Sequence, residues 1–176
     1  RWLSTDEVIN QFLVHYKTAA VIPQKLVAKI KKAATFNQGF GTTEYLASAL
    51  MDMKLHLADP ENIDIDAFER QTLADLKMPT ELPMRHRTPH FGHVFSGEGY
   101  ATAYYGYMWA DVLTADAAEA FQEAPGGFYD KEVAERLVQY LFEPRNSMDP
   151  AEAYRLFRGR DAKIEALMRD RGFPVN

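Results

Sequence analysis

Apolar residues recur at three- and four-residue spacing along nearly all of this 176-residue chain, and no stretch alternates convincingly with period two. On a helix that spacing gathers side chains on one face, whereas a strand needs the two-residue period to separate its faces. The pattern predicts an all-α fold. Ser4-Thr5-Asp6-Glu7 reads as a helix start ahead of Val8, Phe12, His15 and Tyr16. Pro23 opens a second helix, with Leu26, Ile30 and Ala33 or Ala34 as its buried stripe. Gly39 and Gly41 mark a break, after which Thr42 or Thr43 caps a helix over residues 44–58 that buries Leu46, Leu50, Met53 and Leu57. Asp64 caps a short helix carrying Ile65, Phe68, Leu73 and Leu76. Farther on, Asp130 and Ser147-Met148-Asp149-Pro150 read as starts, while Pro125-Gly126-Gly127, Pro144, Gly159 and Gly172 read as stops. No linker divides the sequence, so one helical domain over residues 1–176 is expected.

The functional classes narrow by subtraction. A net charge of -5 argues against a nucleic-acid partner, which requires a basic face to neutralise phosphates. Lys29, Lys31 and Lys32 sit among apolar helix positions and read as a solvated face. With no cysteine, disulfide staples and thiolate zinc sites are excluded, which suits a reducing cytoplasm. No apolar run is long enough to span a membrane. The chain opens at Arg1 without a signal-peptide pattern, so an upstream part is expected to be missing.

Residues 90–111 (HFGHVFSGEGYATAYYGYMWAD) stand apart. Gly92, Gly97 and Gly99 close a long proline-punctuated connection over residues 79–97, longer than a compact fold needs for joining two helices. Ser96 and Glu98 then read as the start of a helix running to Glu123, on which Tyr100, Tyr104, Tyr107 and Asp111 share one face. Tyrosines on a helix are usually half-buried packing. Three aligned phenols after a glycine loop favour instead a polar cleft wall, from which a phenol can donate to a developing oxyanion. Tyr105 and Trp109 fall on another face and read as core. His93, in the loop, suits hydrogen bonding to a ligand carbonyl, since neutral imidazole donates without carrying charge. His86, His90 and His93 have a spacing that would gather three imidazoles on a helix, a metal-binding pattern that Pro89 interrupts. There is no HExxH, GxSxG or phosphate-loop pattern, so the residues form no complete catalytic set.

Three segments, FNQGFGTTEYLASALMD (36–52), HFGHVFSGEGYATAYYGYMWADVL (90–113) and DPAEAYRLFRGR (149–160), closely resemble the C-terminal part of the thimet oligopeptidase family, which includes the oligopeptidase A and peptidyl-dipeptidase enzymes. The resemblance covers essentially the whole chain. It implies a multi-helix C-terminal region of a zincin-type oligopeptidase, acting on short peptides in a channel. It also implies zinc in the full-length enzyme, held by two histidines of an HExxH helix and a downstream glutamate, all upstream of the matched part. None of these ligands is present here, so this fragment is expected to bind no metal and to be inactive alone. By position, His93 and Tyr100 match substrate-binding residues, Tyr107 matches the tyrosine that stabilises the tetrahedral intermediate, and Tyr104 is a further substrate-binding candidate on the same face. Gly97 and Gly99 would let the loop close on the peptide. The competing expectation is a non-catalytic helical peptide-binding module. Truncation would also expose apolar surface, so the fragment is expected to self-associate.

Overall fold

The aspartates expected to cap helices do so. In the computed structural model, which describes residues 1–175, Asp64 accepts from Ala67 N–H at 3.0 Å, Asp130 from Val133 N–H at 3.0 Å and Asp149 from Glu152 N–H at 2.9 Å. Each satisfies an amide that a helix start leaves unpaired, worth about 1 kcal/mol. The helices are α1 (Asp6–Phe12), α2 (Gln24–Ala33), α3 (Gln38–His56), α4 (Ile65–Asp75), α5 (Gly92–Phe95), α6 (Gly106–Glu123), α7 (Lys131–Leu137), α8 (Pro150–Arg158) and α9 (Ile164–Asp170). A π-helical turn, Val138–Phe142, extends α7. Among the described residues there is no strand beyond an isolated bridge between Val14 and Val21, so the fold is all-α. No described helix is long and apolar enough to cross a membrane.

The helices gather into two compact units, one of residues 37–110 and the other of residues 1–36 with those from 111 onward. In the first, α3 departs from expectation. It starts at Gln38, not near Thr42, and runs through Gly39 and Gly41. Glycine in a helix costs only about 1 kcal/mol, and the packing of α3 outweighs that. The buried face is also a different one. Ala47, Ser48, Ala49, Met51 and Asp52 are buried, while Leu46, Leu50 and Leu57 are exposed. The small residues let a chain segment lie close against α3, where Ala49 packs with Phe91, Val94 and Tyr104. On α4, buried Glu69 accepts from both the N–H and the hydroxyl of Thr88 at 2.9 Å and pairs with Arg87 at 2.5 Å.

In the second unit Phe121 of α6, Val133 of α7 and Phe157 of α8 form the core with Ala120. Trp2 closes it, with its ring edge-on to Phe121 and its Nε1–H donated to the Phe128 carbonyl at 2.7 Å. Asp116, fully buried on α6, accepts from the Tyr154 hydroxyl at 2.8 Å, from Arg158 Nε at 3.3 Å and from Arg160 Nη1 at 3.1 Å. Its other oxygen lies 2.8 Å from Arg160 Nη2 without an aligned hydrogen bond, so that contact is one of charge. Arg158 also forks onto Glu123 at 2.8 and 2.7 Å. Gly159, at φ 79, makes the left-handed turn that places both arginines on one carboxylate. The FRGR segment is therefore a structural clamp. On α2 the expected stripe is not buried, because Leu26 and Ile30 are exposed and only Val27 is covered. Likewise α1 ends at Phe12, itself exposed, and His15 and Tyr16 fall beyond it.

The Asp116 carboxyl is held below its ordinary value. Burial alone would raise it, but hydrogen bonds from Arg160 and Tyr154 and the charge of Arg158 outweigh that. A lowered carboxyl contributes stability that is present above its ordinary value of 3.8 and lost as pH falls through the folded value. Removing one member of a buried pair costs about 3–5 kcal/mol, against about 0–1 kcal/mol for an exposed pair. Asp116→Ala is expected near the lower end of the first range, because Glu123 still holds Arg158, and to flatten the acid loss of stability below pH 3.8. Glu123→Gln should cost about 1 kcal/mol or less. Denaturant unfolding of both variants across pH checks the ordering, and equal losses would contradict the clamp.

Candidate functional site

The connection ahead of the tyrosines is anchored at several points. Glu69 holds Thr88, and Phe91 and Val94 are buried on either side of His93. Ser96 does not start a helix. Its hydroxyl donates to the Gly92 carbonyl at 2.5 Å and closes α5. The expected helix over the tyrosines begins only at Gly106. Asp52 accounts for the delay, since its carboxylate accepts from the N–H groups of Thr102 and Tyr104, both at 3.1 Å. Those amides are drawn to a side chain, and Thr102 takes a left-handed φ of 61. Tyr100 and Tyr104 are therefore displayed by a turn, not by a helix face. Tyr45 fastens the same turn, donating its hydroxyl to the Tyr104 carbonyl and accepting from Met108 N–H at 3.3 Å.

The turn still brings the expected residues together. Tyr100 and Tyr107 stack with centroids 5.5 Å apart and planes within 4°, and the Tyr107 hydroxyl donates to that of Tyr100 at 3.0 Å. His93 Nε2 lies 2.9 Å from the Tyr107 hydroxyl, and its ring meets Tyr100 edge-on at 4.6 Å. Tyr104 sits beneath them, buried, with its ring edge-on to Phe91 at 4.9 Å and stacked on Tyr45 at 5.4 Å. Its ring belongs to the core rather than to an open wall. Conversely, Tyr105 and Trp109, expected in the core, are exposed. Asp111, the last member of the expected face, pairs with Arg171 at 2.9 Å. Gly97 and Gly99 have ordinary backbone angles and open space where a Cβ would stand, so this conformation itself does not require glycine.

Histidines 86, 90 and 93 do not form a cluster. His86 stacks on Phe91 at 5.3 Å while His93 faces the tyrosines, and among the described residues no group of three or more histidine, cysteine or carboxylate side chains is placed to hold a metal. Sequence reasoning missed Asp52, Tyr45 and Glu69. The available signal was a carboxylate in the middle of an apolar helical stretch, ALMDM.

The Tyr107 phenol is pushed up to about 12, first by its hydrogen bond to Tyr100, then by burial and by the neighbouring phenols. Tyr100→Phe removes the largest cause. Alkaline absorbance titration should then show one tyrosine moving from about 12 toward its ordinary value of 10. A titration curve that does not change would mean that the pair is not bonded in solution.

Comparison with known proteins adds an independent line. Residues 1–173 match the model of Peptidase family M3. The dipeptidyl carboxypeptidase of Escherichia coli K12 is 32% identical over 178 aligned positions, covering 99% of this chain and 26% of that protein. Oligopeptidase A of the same organism is 31% identical, covering 97% of this chain and 25% of that protein. The organellar oligopeptidase A of Arabidopsis thaliana is 32% identical, covering 97% and 22%. This chain thus spans about a quarter of the length of these relatives.

Proposed function

Because the chain belongs to peptidase family M3, we propose that it supplies the substrate-gripping part of a zinc-dependent peptidase that hydrolyses short peptides, of the peptidyl-dipeptidase or oligopeptidase type. The supporting observation is the grouping of His93, Tyr100 and Tyr107 at 2.9 and 3.0 Å on an exposed face of residues 37–110. A peptide backbone offers carbonyl oxygens and amide hydrogens; a phenol donates to the first and the unprotonated nitrogen of a neutral imidazole accepts from the second, without introducing net charge. On that basis Tyr100 and His93 hold the peptide. Tyr107 donates to the oxygen that gains charge as the carbonyl becomes tetrahedral. A phenol keeps its hydrogen at neutral pH, so Tyr107 is available there as a donor. Tyr104 acts from below, by fixing the turn. Gly97 and Gly99 leave the loop free to move onto the peptide. In this reading the zinc belongs to the full-length protein and is held upstream of the matched part, as the resemblance to the family implies.

Metal content and cleavage of a quenched short peptide, measured on this chain and on the protein extended upstream, test the assignment. The extended protein is expected to bind zinc and cleave, and this chain to do neither. An extended protein that binds peptides without cleaving them would instead favour a helical binding module. In the active protein, Tyr107→Phe should lower kcat by about 10²–10³, the usual loss for one oxyanion donor, with KM changed far less. An unaltered kcat would remove Tyr107 from the reaction.

The open face of α2 is attributed to the same incompleteness. Leu26 and Ile30 are spaced as a buried stripe yet stand exposed. In isolation the chain is expected to self-associate through such faces, and Leu26→Glu with Ile30→Glu to reduce association in sedimentation velocity. A monomer at high concentration would contradict this.

A further inference from the structure

We infer that His93, Tyr107 and Tyr100 form a one-way hydrogen-bond chain ending on the Tyr100 hydroxyl, which makes Tyr100 the phenol that first meets a peptide carbonyl and His93 a positioning residue for Tyr107. This rests on the peptidase reading for its ligand, although the direction of the chain follows from geometry alone. A phenol carries one hydrogen. Tyr107 places its hydrogen on Tyr100, at 3.0 Å. The 2.9 Å contact between Tyr107 and His93 Nε2 then has a single arrangement in which both contacts are bonds, with Nε2–H donating to the phenol oxygen. That fixes the hydrogen of a neutral His93 on Nε2. Tyr100 receives the last bond, so its own hydrogen is uncommitted, and its side chain is 41% exposed.

Three consequences follow. A hydroxyl that already accepts a hydrogen bond is polarised into a stronger donor, by roughly 10–30% per bond in a chain. Tyr100 is therefore better prepared than an isolated tyrosine to capture a carbonyl oxygen. Tyr107, accepting from His93 and donating to Tyr100, is saturated until a ligand draws its hydrogen away. Capture at Tyr100 thus precedes donation by Tyr107. Rotation of the Tyr107 hydroxyl then breaks the bond to Tyr100 and makes the bond to substrate, without transferring a proton between residues. The parallel stacking of the two phenols and the edge-on ring of His93 hold all three groups ready for this exchange.

The test is long-range 1H–15N NMR of this chain with 15N-labelled imidazoles, above the histidine titration range. The expected result is Nε2–H with unprotonated Nδ1 at His93, and an Nε2–H resonance that shifts when Tyr107→Phe removes its acceptor. The Nδ1–H tautomer, or a resonance unmoved by Tyr107→Phe, would overturn the chain. In the active full-length protein, His93→Gln retains a side-chain N–H donor and should recover most of the kcat lost in His93→Ala. Tyr100→Phe should raise KM about tenfold, the equivalent of one lost hydrogen bond of about 1.4 kcal/mol. Equal kcat losses for His93→Gln and His93→Ala would reject the positioning role. A full-length protein without peptidase activity would sink the functional reading and leave the NMR result standing, so the two failures are distinguishable.

Discussion

One buried carboxylate decides where the tyrosines stand. Asp52 is 1% exposed, and its carboxylate accepts from the amides of Thr102 and Tyr104, while His56 Nδ1 bonds its backbone carbonyl at 2.9 Å. A carboxylate placed so deep is costly unless its lone pairs are filled, and a donated hydrogen bond to an ionised acceptor returns about 1.5–3 kcal/mol. The chain meets that demand with backbone amides that would otherwise have entered a helix. The helix is thereby shortened to Gly106, and Tyr100 is turned onto the ring of Tyr107.

The same device recurs elsewhere in the molecule. Glu69 fills itself with Thr88 and Arg87, and Asp116 with Tyr154, Arg158 and Arg160. In an all-α chain, connecting segments have no neighbouring strand to receive their amides, so buried segments need side-chain acceptors. Carboxylates on buried helix faces do this for the segment around residue 88 and for the turn at residues 102–104. Such contacts are directional, whereas apolar packing alone tolerates small rotations. That difference matters where two hydroxyls and an imidazole must meet within hydrogen-bonding distance.

What the sequence made legible was what is decided locally. The caps at Asp64, Asp130 and Asp149 were readable because a helix start needs an acceptor three residues ahead of an amide. The grouping of His93, Tyr100 and Tyr107 was readable in its membership but not in its geometry, since Asp52 lies fifty residues away from the turn it bends. The buried face of α3 was misread for a related reason. Leucine spacing marks an apolar stripe, but the stripe covered within this chain is the one carrying the small residues and the carboxylate. On α2 the stripe exists but Leu26 and Ile30 stand exposed among the described residues, so periodicity alone could not distinguish a buried face from an open one.

Exposure sets the strength of what remains. Tyr100 and Tyr107 are 41% and 42% exposed, so water competes for every hydroxyl in the His93–Tyr107–Tyr100 chain. Under those conditions a neutral hydrogen bond contributes about 1 kcal/mol or less, too little to hold three side chains without the stacking and the carboxylate beneath them. Once a surface is covered, the same donors act in a lower dielectric, where their attraction for a developing negative charge rises several-fold. The residues described here therefore fix geometry in advance, while the strength of their hydrogen bonds depends on whatever excludes water from them. A site arranged this way is ordered before it is strong.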